Sequence, residues 1–384
     1  MEEKMVVKIG DSLLTAFGLG TTKSYEAVKA GQSCLGRQEG KWELPEPFIA
    51  SFIEDRLLEE ECRKLHIGKE YTRFEQMAII VTNEAIRQAG VDPQGQDVRF
   101  ILSTTKGNVD QLGLPHVDDG KLDLPSTASR IARWFGNPNK PITVSNACIS
   151  GLHAQIEAWR ILRGEMANIA IILAADTLSP FVVSGFQVFR ATSDEPCRPF
   201  DEERLGLNLG EAAACAIYKR VSPEEVKAGS WVIGKGAVYN DAYHISHPSR
   251  TAEGSFRALK AVAGGYTAED FAMVNVHGTA TLYNDEMEST ALYRAGLSNV
   301  PINSLKGYFG HTMGATGLLE TLITMRSLED GTILGTKGYH AEGVSHHVDI
   351  SEENRPAKGK RFIKLISGFG GCNAAVRYEY VQDP

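Results

Sequence analysis

Apolar-rich runs of strand length recur along the chain, at 99–103, 142–147, 169–174, 212–218, 272–276 and 362–366. A run without polar alternation predicts a strand covered on both faces. Between these runs, 74–88, 151–164 and 314–328 carry apolar positions at helical spacing and predict amphipathic helices. Strands followed by helices imply an α/β protein with largely parallel core sheets. The polar stretch 220–230 holds Pro223 and Gly229, and it separates a first half, 1–220, from a second, 229–384.

Charge and composition narrow the function classes. The chain has 384 residues, with 40 Lys+Arg against 48 Asp+Glu, a net charge of −8. This acidic balance argues against nucleic acid as the main partner, since duplex binding needs a basic footprint. A chain of this length buries enough surface to need neither disulfides nor metal. The six cysteines (34, 62, 148, 197, 215 and 372) form no C-x-x-C pair, which fits a reducing compartment. The start Met1-Glu2-Glu3-Lys4, followed by the short apolar run 5–9, has no signal-peptide core. No apolar stretch approaches membrane-spanning length, so the expectation is a cytoplasmic protein without a membrane partner.

Four segments could carry chemistry. In Thr143-Val144-Ser145-Asn146-Ala147-Cys148-Ile149-Ser150-Gly151 the thiol sits between a buried strand and a helix. The positive end of that helix would favour thiolate, lower the pKa and make Cys148 a nucleophile. The position alone leaves a buried structural thiol as the other reading. In Val274-Asn275-Val276-His277-Gly278-Thr279-Ala280-Thr281 the imidazole ends a strand, where open α/β sheets bind ligands. Thr279 and Thr281 alternate and could face one polar ligand. A satisfied core histidine fits this segment as well.

The third segment, Asn303 to Ala315, holds Lys306 and His311 among glycines, with His311 heading the helix 314–328. A helix N-terminus biases imidazole toward its neutral, N–H-donating form. Lys306 would need a buried partner, for which Glu320 is a candidate; otherwise it is a surface lysine beside a loop histidine. The fourth, Ser367-Gly368-Phe369-Gly370-Gly371-Cys372-Asn373, ends a strand in glycines that let a backbone N–H enter a site while Phe369 acts as a gate. Phosphate-loop, dinucleotide, serine-elbow and zinc-protease motifs do not occur. The pairs His244/His247 and His346/His347 lack further ligands for a metal and read as loop histidines.

In this order, Cys148, His277, Lys306, His311 and the Phe369 turn resemble the β-ketoacyl-acyl-carrier-protein synthases. The likeness is to the elongating Cys-His-His branch and its polyketide ketosynthase relatives. It covers nearly the whole chain. It includes the first strand and turn at 5–20, Arg73-Phe74-Glu75-Gln76, and Ser129-Arg130-Ile131-Ala132-Arg133-Trp134-Phe135-Gly136. Further on come Arg198-Pro199-Phe200-Asp201, Arg204, Gly210-Glu211, Asn240-Asp241-Ala242-Tyr243-His244, and Asp285 with Glu288.

The resemblance implies a thiolase-like fold, with duplicated α/β halves stacked in five layers (α-β-α-β-α), and a homodimer. It implies a condensing acyltransferase of fatty-acid or polyketide biosynthesis: an acyl group moves from an acyl carrier protein to Cys148, and malonyl-carrier protein loses CO₂ and attacks it. His277 and His311 would stabilise the enolate, Lys306 held by Glu320 would fix His311, and the N–H groups of Cys148 and Phe369 would form the oxyanion hole. Thr279 and Thr281 match the pantetheine-contacting pair. No metal and no cofactor are expected beyond the carrier's phosphopantetheine.

Several positions depart from the family pattern: Leu205-Gly206-Leu207, Gly210-Glu211-Ala212-Ala213-Ala214, Leu282 after the Thr pair, Leu365-Ile366-Ser367 before the gate, and the glycine-poor 104–108. They bear on acyl type, tunnel and gating. A thiolase would need a second catalytic Cys, for which Cys372 is the candidate, and an initiating synthase a Cys-His-Asn set. The alternative of another class is a non-catalytic, chain-length-factor-like subunit of a heterodimer, which would lack the nucleophile. Carrier proteins are acidic, so a docking rim would need local basic residues, for which Lys69, Arg73, Arg190 and Arg204 are candidates.

Overall fold

The computed structural model describes residues 4–114 and 119–382; residues 1–3 of the N-terminal reading and the last two of the second half lie outside them. Among the described residues, twelve strands join in one sheet, eleven of them along a single path. In space it runs Asp349–Ile350, Pro301–Asn303, Met273–Asn275, Arg361–Gly368, Cys372–Tyr380, Trp231–Asn240, Met5–Thr15, Ala212–Val221, Ile169–Asp176, Val98–Ser103 and Ile142–Val144. The short strand Gly18–Leu19 lies beside Met5–Thr15. Reading outward from the central 5–15 and 231–240 pair, each side gives antiparallel strands first and parallel ones after.

The expectation of largely parallel sheets therefore holds only toward the two edges. Arg361–Gly368 and Cys372–Tyr380 form an antiparallel hairpin closed by Phe369, Gly370 and Gly371, with both glycines at positive φ. Trp231–Asn240 is missing from the apolar runs because only its first three residues are buried. The run 142–147 ends as a strand at Val144, three residues before the chain turns sharply.

Side-chain alternation along the strands makes the layers. Ala212, Ala214, Ala216 and Tyr218 face one apolar cluster, and Ala213, Cys215 and Ile217 face another. The first cluster holds the helices Ser150–Arg163 and Thr316–Glu329, sandwiched between the two halves of the sheet path. Outside one half lie Arg73–Ala89 and Leu124–Trp134; outside the other lie Glu253–Ala263 and Leu282–Ala295. The stack is α-β-α-β-α, the five-layer arrangement that the resemblance implies.

Local sequence sets these helices. Arg73–Ala89 starts on a reciprocal capping box between Thr72 and Glu75 and stops at Gly90 in the left-handed conformation. The two central helices cross where each carries a glycine. A Cβ on Gly317 would lie 2.5 Å from the Leu152 nitrogen, and one on Gly151 2.7 Å from the Gly314 carbonyl. That crossing brings the start of the first-half helix, beside Cys148, against the start of the second-half helix, beside His311.

Candidate active site

The turn before the first central helix presents the thiol. Ala147 has a φ of 44°, the left-handed region that a residue with a Cβ rarely adopts. Ser150 locks it: its Oγ accepts from the Asn146 N–H at 2.8 Å and donates to the Ala147 carbonyl at 2.6 Å. Cys148 is buried, and the Phe369 N–H lies close enough to stabilise negative charge on its sulfur. The gate strand passes so near that a Cβ on Gly368 would be 3.0 Å from the Cys148 nitrogen.

Here the sequence expectation needs correcting. Burial pushes the Cys148 thiol up to about 11, against the downward pull of Lys106, the Phe369 N–H and Lys306. A thiol at a helix start is depressed only where water or positive charge outweighs desolvation, and this one is enclosed.

His277 follows the strand Met273–Asn275, and its backbone is gripped from both sides. Glu288 accepts the N–H of His277 and of Gly278, each at 2.7 Å. Lys306 donates to the His277 carbonyl at 2.9 Å, and Lys364 to the Val276 carbonyl at 3.1 Å. The ring is buried, and its Nδ1 has no partner. Burial, and after it the charges of Lys306, His311 and Lys364, hold this imidazole well below its ordinary range, so it is neutral.

His311 is pinned through its backbone, its N–H donating to the Asn208 carbonyl at 2.7 Å. The Met313 N–H points at its Nδ1 from 3.2 Å, and Thr316 Oγ1 lies 3.0 Å away. A backbone N–H only donates, so Nδ1 accepts and the proton sits on Nε2, which is buried and unpartnered. The helix begins at Thr316 after a turn at Met313–Ala315, so His311 stands before it rather than at its head. Neutrality comes chiefly from burial and then from Lys306, Lys106 and Lys364. The His277 and His311 ring centroids are 5.0 Å apart.

Lys306 and Glu320 are buried and paired at 2.6 Å. Lys306 holds the His277 carbonyl, however, and acts on His311 only through its charge, where the resemblance implied that it fixes His311. The other Glu320 oxygen takes Lys364, also at 2.6 Å and also buried. Sequence reasoning missed Lys364, although a lysine inside the apolar run 362–366 was the available signal.

Cys148 Sγ and one nitrogen from each of His277 and His311 lie within 4.8 Å of one another. The spacing could bracket an ion, but the field of Lys106, Lys306 and Lys364 opposes a cation there. The three side chains line a cleft of about 180 Å³. Thr279 and Thr281 line it too, their hydroxyls 2.9 Å apart, and Thr281 also caps the helix Leu282–Ala295. Phe369 packs against Phe186 and Phe189 at the mouth, with ring centroids 5.8 and 5.6 Å away. Two departures from the family pattern, Leu205 and Leu282, face this cleft. Cys372 is buried, and its thiol is pushed up to about 12 by burial and by the neighbouring Cys148.

Of the paired loop histidines, His244 and His247 line the cleft, while His346 stacks on Tyr293 and His347 contacts Glu342. Two of the candidate docking residues are engaged internally. Arg204 is buried, donating to the carbonyls of Asp201, Gly343 and Leu282. Arg73 ties Glu211 to Asp55. Lys69 and Arg190 are exposed, Arg190 at the cleft.

Residues 3–224 match the sequence profile described as Beta-ketoacyl synthase, N-terminal domain, and 231–340 match its C-terminal domain. The Tetracenomycin polyketide synthase ketoacyl synthase alpha subunit of Streptomyces glaucescens is 28% identical, covering 97% of this chain and 96% of that protein. The 3-oxoacyl-[acyl-carrier-protein] synthase 2 of Vibrio cholerae is also 28% identical, over 99% and 100% of the two chains. A solved ketosynthase in complex with its chain length factor, from Xenorhabdus doucetiae, shares the fold at a TM-score of 0.84. It is 21% identical, with 98% of each chain covered.

Proposed function

The chain belongs to the beta-ketoacyl synthase family, and from that premise we propose that its cleft joins an acyl thioester on Cys148 to malonyl-acyl-carrier protein. The observation that carries this reading is the meeting of Cys148, His277 and His311 within 4.8 Å at a buried cleft. The reaction is that of a 3-oxoacyl-[acyl-carrier-protein] synthase, a condensing acyltransferase.

In the first half-reaction the Cys148 sulfur attacks the carrier-bound acyl carbonyl. The tetrahedral oxyanion accepts from the N–H groups of Cys148 and Phe369, and the pantetheine thiol leaves with the proton. In the second, the malonyl C–C bond breaks, CO₂ departs, and its electron pair forms an enolate. The enolate oxygen accepts from the N–H groups of His277 and of His311, the latter through Nε2. The enolate carbon attacks the acyl-Cys148 carbonyl, and the cysteine sulfur leaves as thiolate and takes up a proton from solvent. The product is a 3-oxoacyl thioester two carbons longer. Neutral imidazoles suit this step, because each must donate without adding a proton to the enolate.

Lys306 and Glu320 support the imidazoles from below, and Thr279 with Thr281 serve the pantetheine arm. The halves 1–220 and 229–384 supply the nucleophile and the imidazoles respectively. The acyl carrier protein approaches the exposed mouth, where Arg190 is the remaining basic candidate at the cleft itself. A cytoplasmic homodimer, or a heterodimer with a related subunit, completes the reading. A non-catalytic chain-length-factor-like role would not need Cys148, Lys306 and both histidines in place.

Incubation with a panel of acyl-carrier proteins, followed by intact mass, tests it. An acyl adduct on the wild type and none on Cys148→Ala is expected. Absence of any adduct on folded wild type would overturn the catalytic reading.

A further inference from the structure

The strand Arg361–Gly368 carries at its centre a lysine that the reaction above does not use. Lys364 is fully buried, with Nζ 2.6 Å from Glu320 Oε2 and 3.1 Å from the Val276 carbonyl. Lys306 mirrors it, 2.6 Å from Glu320 Oε1 and 2.9 Å from the His277 carbonyl. Two ammonium groups thus share one carboxylate and hold two successive carbonyls of the segment that presents His277.

Within hydrogen-bond reach the charge of this cluster does not balance: Glu320 offers one negative charge to two lysines, Glu288 acts on Lys364 only from further off, and buried ions are costly unless matched. For packing alone, Lys306 with Glu320 would be the cheaper arrangement, with an apolar side chain at 364. A surplus positive charge beneath two imidazoles has a chemical use instead. It opposes their protonation and favours negative charge developing above them.

We propose that Lys364 is a positioning residue of the condensing reaction: with Lys306 it fixes the backbone of His277, and it supplies the surplus positive charge facing His277 and His311. This rests on the condensing reading above.

The other charged and titratable groups around the rings are accounted for. Lys306 and His311 face His277; Glu288 accepts from its backbone N–H, and Asp285 from that of Thr279 two residues on. Lys306 and Lys106 face His311, and Lys106 lies 3.9 Å from Asp176. Cys148 completes the set at the cleft. The effect of Lys364 on both rings is downward, the same direction as that of Lys306.

Two variants separate donor from charge. Lys364→Met removes both, and Lys364→Gln keeps a hydrogen-bond donor without the charge. With malonyl-acyl-carrier protein as probe, kcat for CO₂ release should fall about tenfold or more in the Met variant, with KM little changed. The Gln variant should recover part of that loss. In both, the acid limb of the kcat–pH profile should move up by about half a unit to one unit, since a lost cation eases protonation of the imidazoles. The thermal midpoint should hold or rise, because a charge-matched pair remains.

An unmoved acid limb together with a lowered thermal midpoint would make Lys364 a structural residue and overturn the inference. A readout independent of activity is the titration of His277 and His311 in 15N-histidine-labelled protein, assigned with His277→Ala and His311→Ala. Upward movement of both in the two variants supports the inference, and unmoved titrations overturn it. Wild type that releases no CO₂ would instead sink the condensing reading and the positioning role with it, while the histidine titrations still judge the charge effect.

Discussion

Glu288 aims His277 without touching its ring: the carboxylate takes the backbone N–H of His277 at 2.7 Å and that of Gly278 at the same distance. A turn held by two oxygens fixes the direction in which the side chain leaves the backbone. Glu288→Gln replaces one acceptor by a donor and leaves one N–H unpaired, at a cost of about 1–3 kcal/mol. We expect CO₂ release from malonyl-carrier protein to fall by more than acyl loading of Cys148, because loading does not need His277 for the enolate. Equal losses in the two half-reactions would show that Glu288 serves the fold alone.

The buried thiol gives a second expectation. With Cys148 pushed up to about 11 by its enclosure, the thiolate fraction in the free enzyme should rise about tenfold per pH unit through the neutral and mildly alkaline range. Iodoacetamide labelling of Cys148, read by mass, should therefore keep accelerating past about pH 9. Lys106→Met removes the largest downward pull on the thiol and should slow labelling at any fixed pH. A plateau near neutrality would mean that the site lowers the thiol as the sequence reading expected.

The two imidazoles set a pH dependence of stability. In the folded chain both are held well below the ordinary range by burial and by Lys306, whereas the unfolded chain takes up protons on them from about pH 6.5 downward. The unfolded state then binds more protons, so stability is complete above about pH 6.5 and declines as the pH falls below it. Thermal midpoints measured across this window should drop toward acid, and His311→Ala should flatten the decline. A variant as acid-sensitive as wild type would assign the loss to other groups.

At the crossing of the central helices, Gly317→Ala would set a methyl 2.5 Å from the Leu152 nitrogen. Backbone cannot swing aside as a side chain can, so we expect a loss of about 3 kcal/mol. Activity should fall beyond that, since the displaced helices carry the flanks of both Cys148 and His311. Chemical denaturation and CO₂ release, measured together, check this. A fully stable, fully active Gly317→Ala protein would show that the crossing has slack.

Much of this was legible in the order of residues. The runs at 169–174 and 212–218 are strands because unbroken apolar stretches have nowhere to go but between layers. Lys306 and Glu320, fourteen positions apart, lie beside one another. What escaped the reading has physical causes. Trp231–Asn240 is only partly buried, so it carries no continuous apolar signal. Lys364 hid because its partner already belonged to another lysine. Arg204 and Arg73 are candidates for a docking rim by sequence, yet one satisfies three carbonyls and the other bridges two carboxylates. The direction of the Cys148 shift depends on enclosure, which no local motif encodes.

Gly151 and Gly317 also bear on how such a chain can change over generations. A steric conflict between neighbours is ordinarily repaired by shrinking one partner when the other grows. Here the nearest atoms that a methyl would strike are backbone, the Leu152 nitrogen for Gly317 and the Gly314 carbonyl for Gly151, and no side-chain substitution removes them. Shrinking a neighbour therefore cannot offset a methyl at either position, and each change carries its cost alone. The outer helices of the two halves can diverge separately, whereas this crossing constrains both halves at once. A lineage that lost either glycine would have to rebuild the central layer before Cys148 and His311 could meet again.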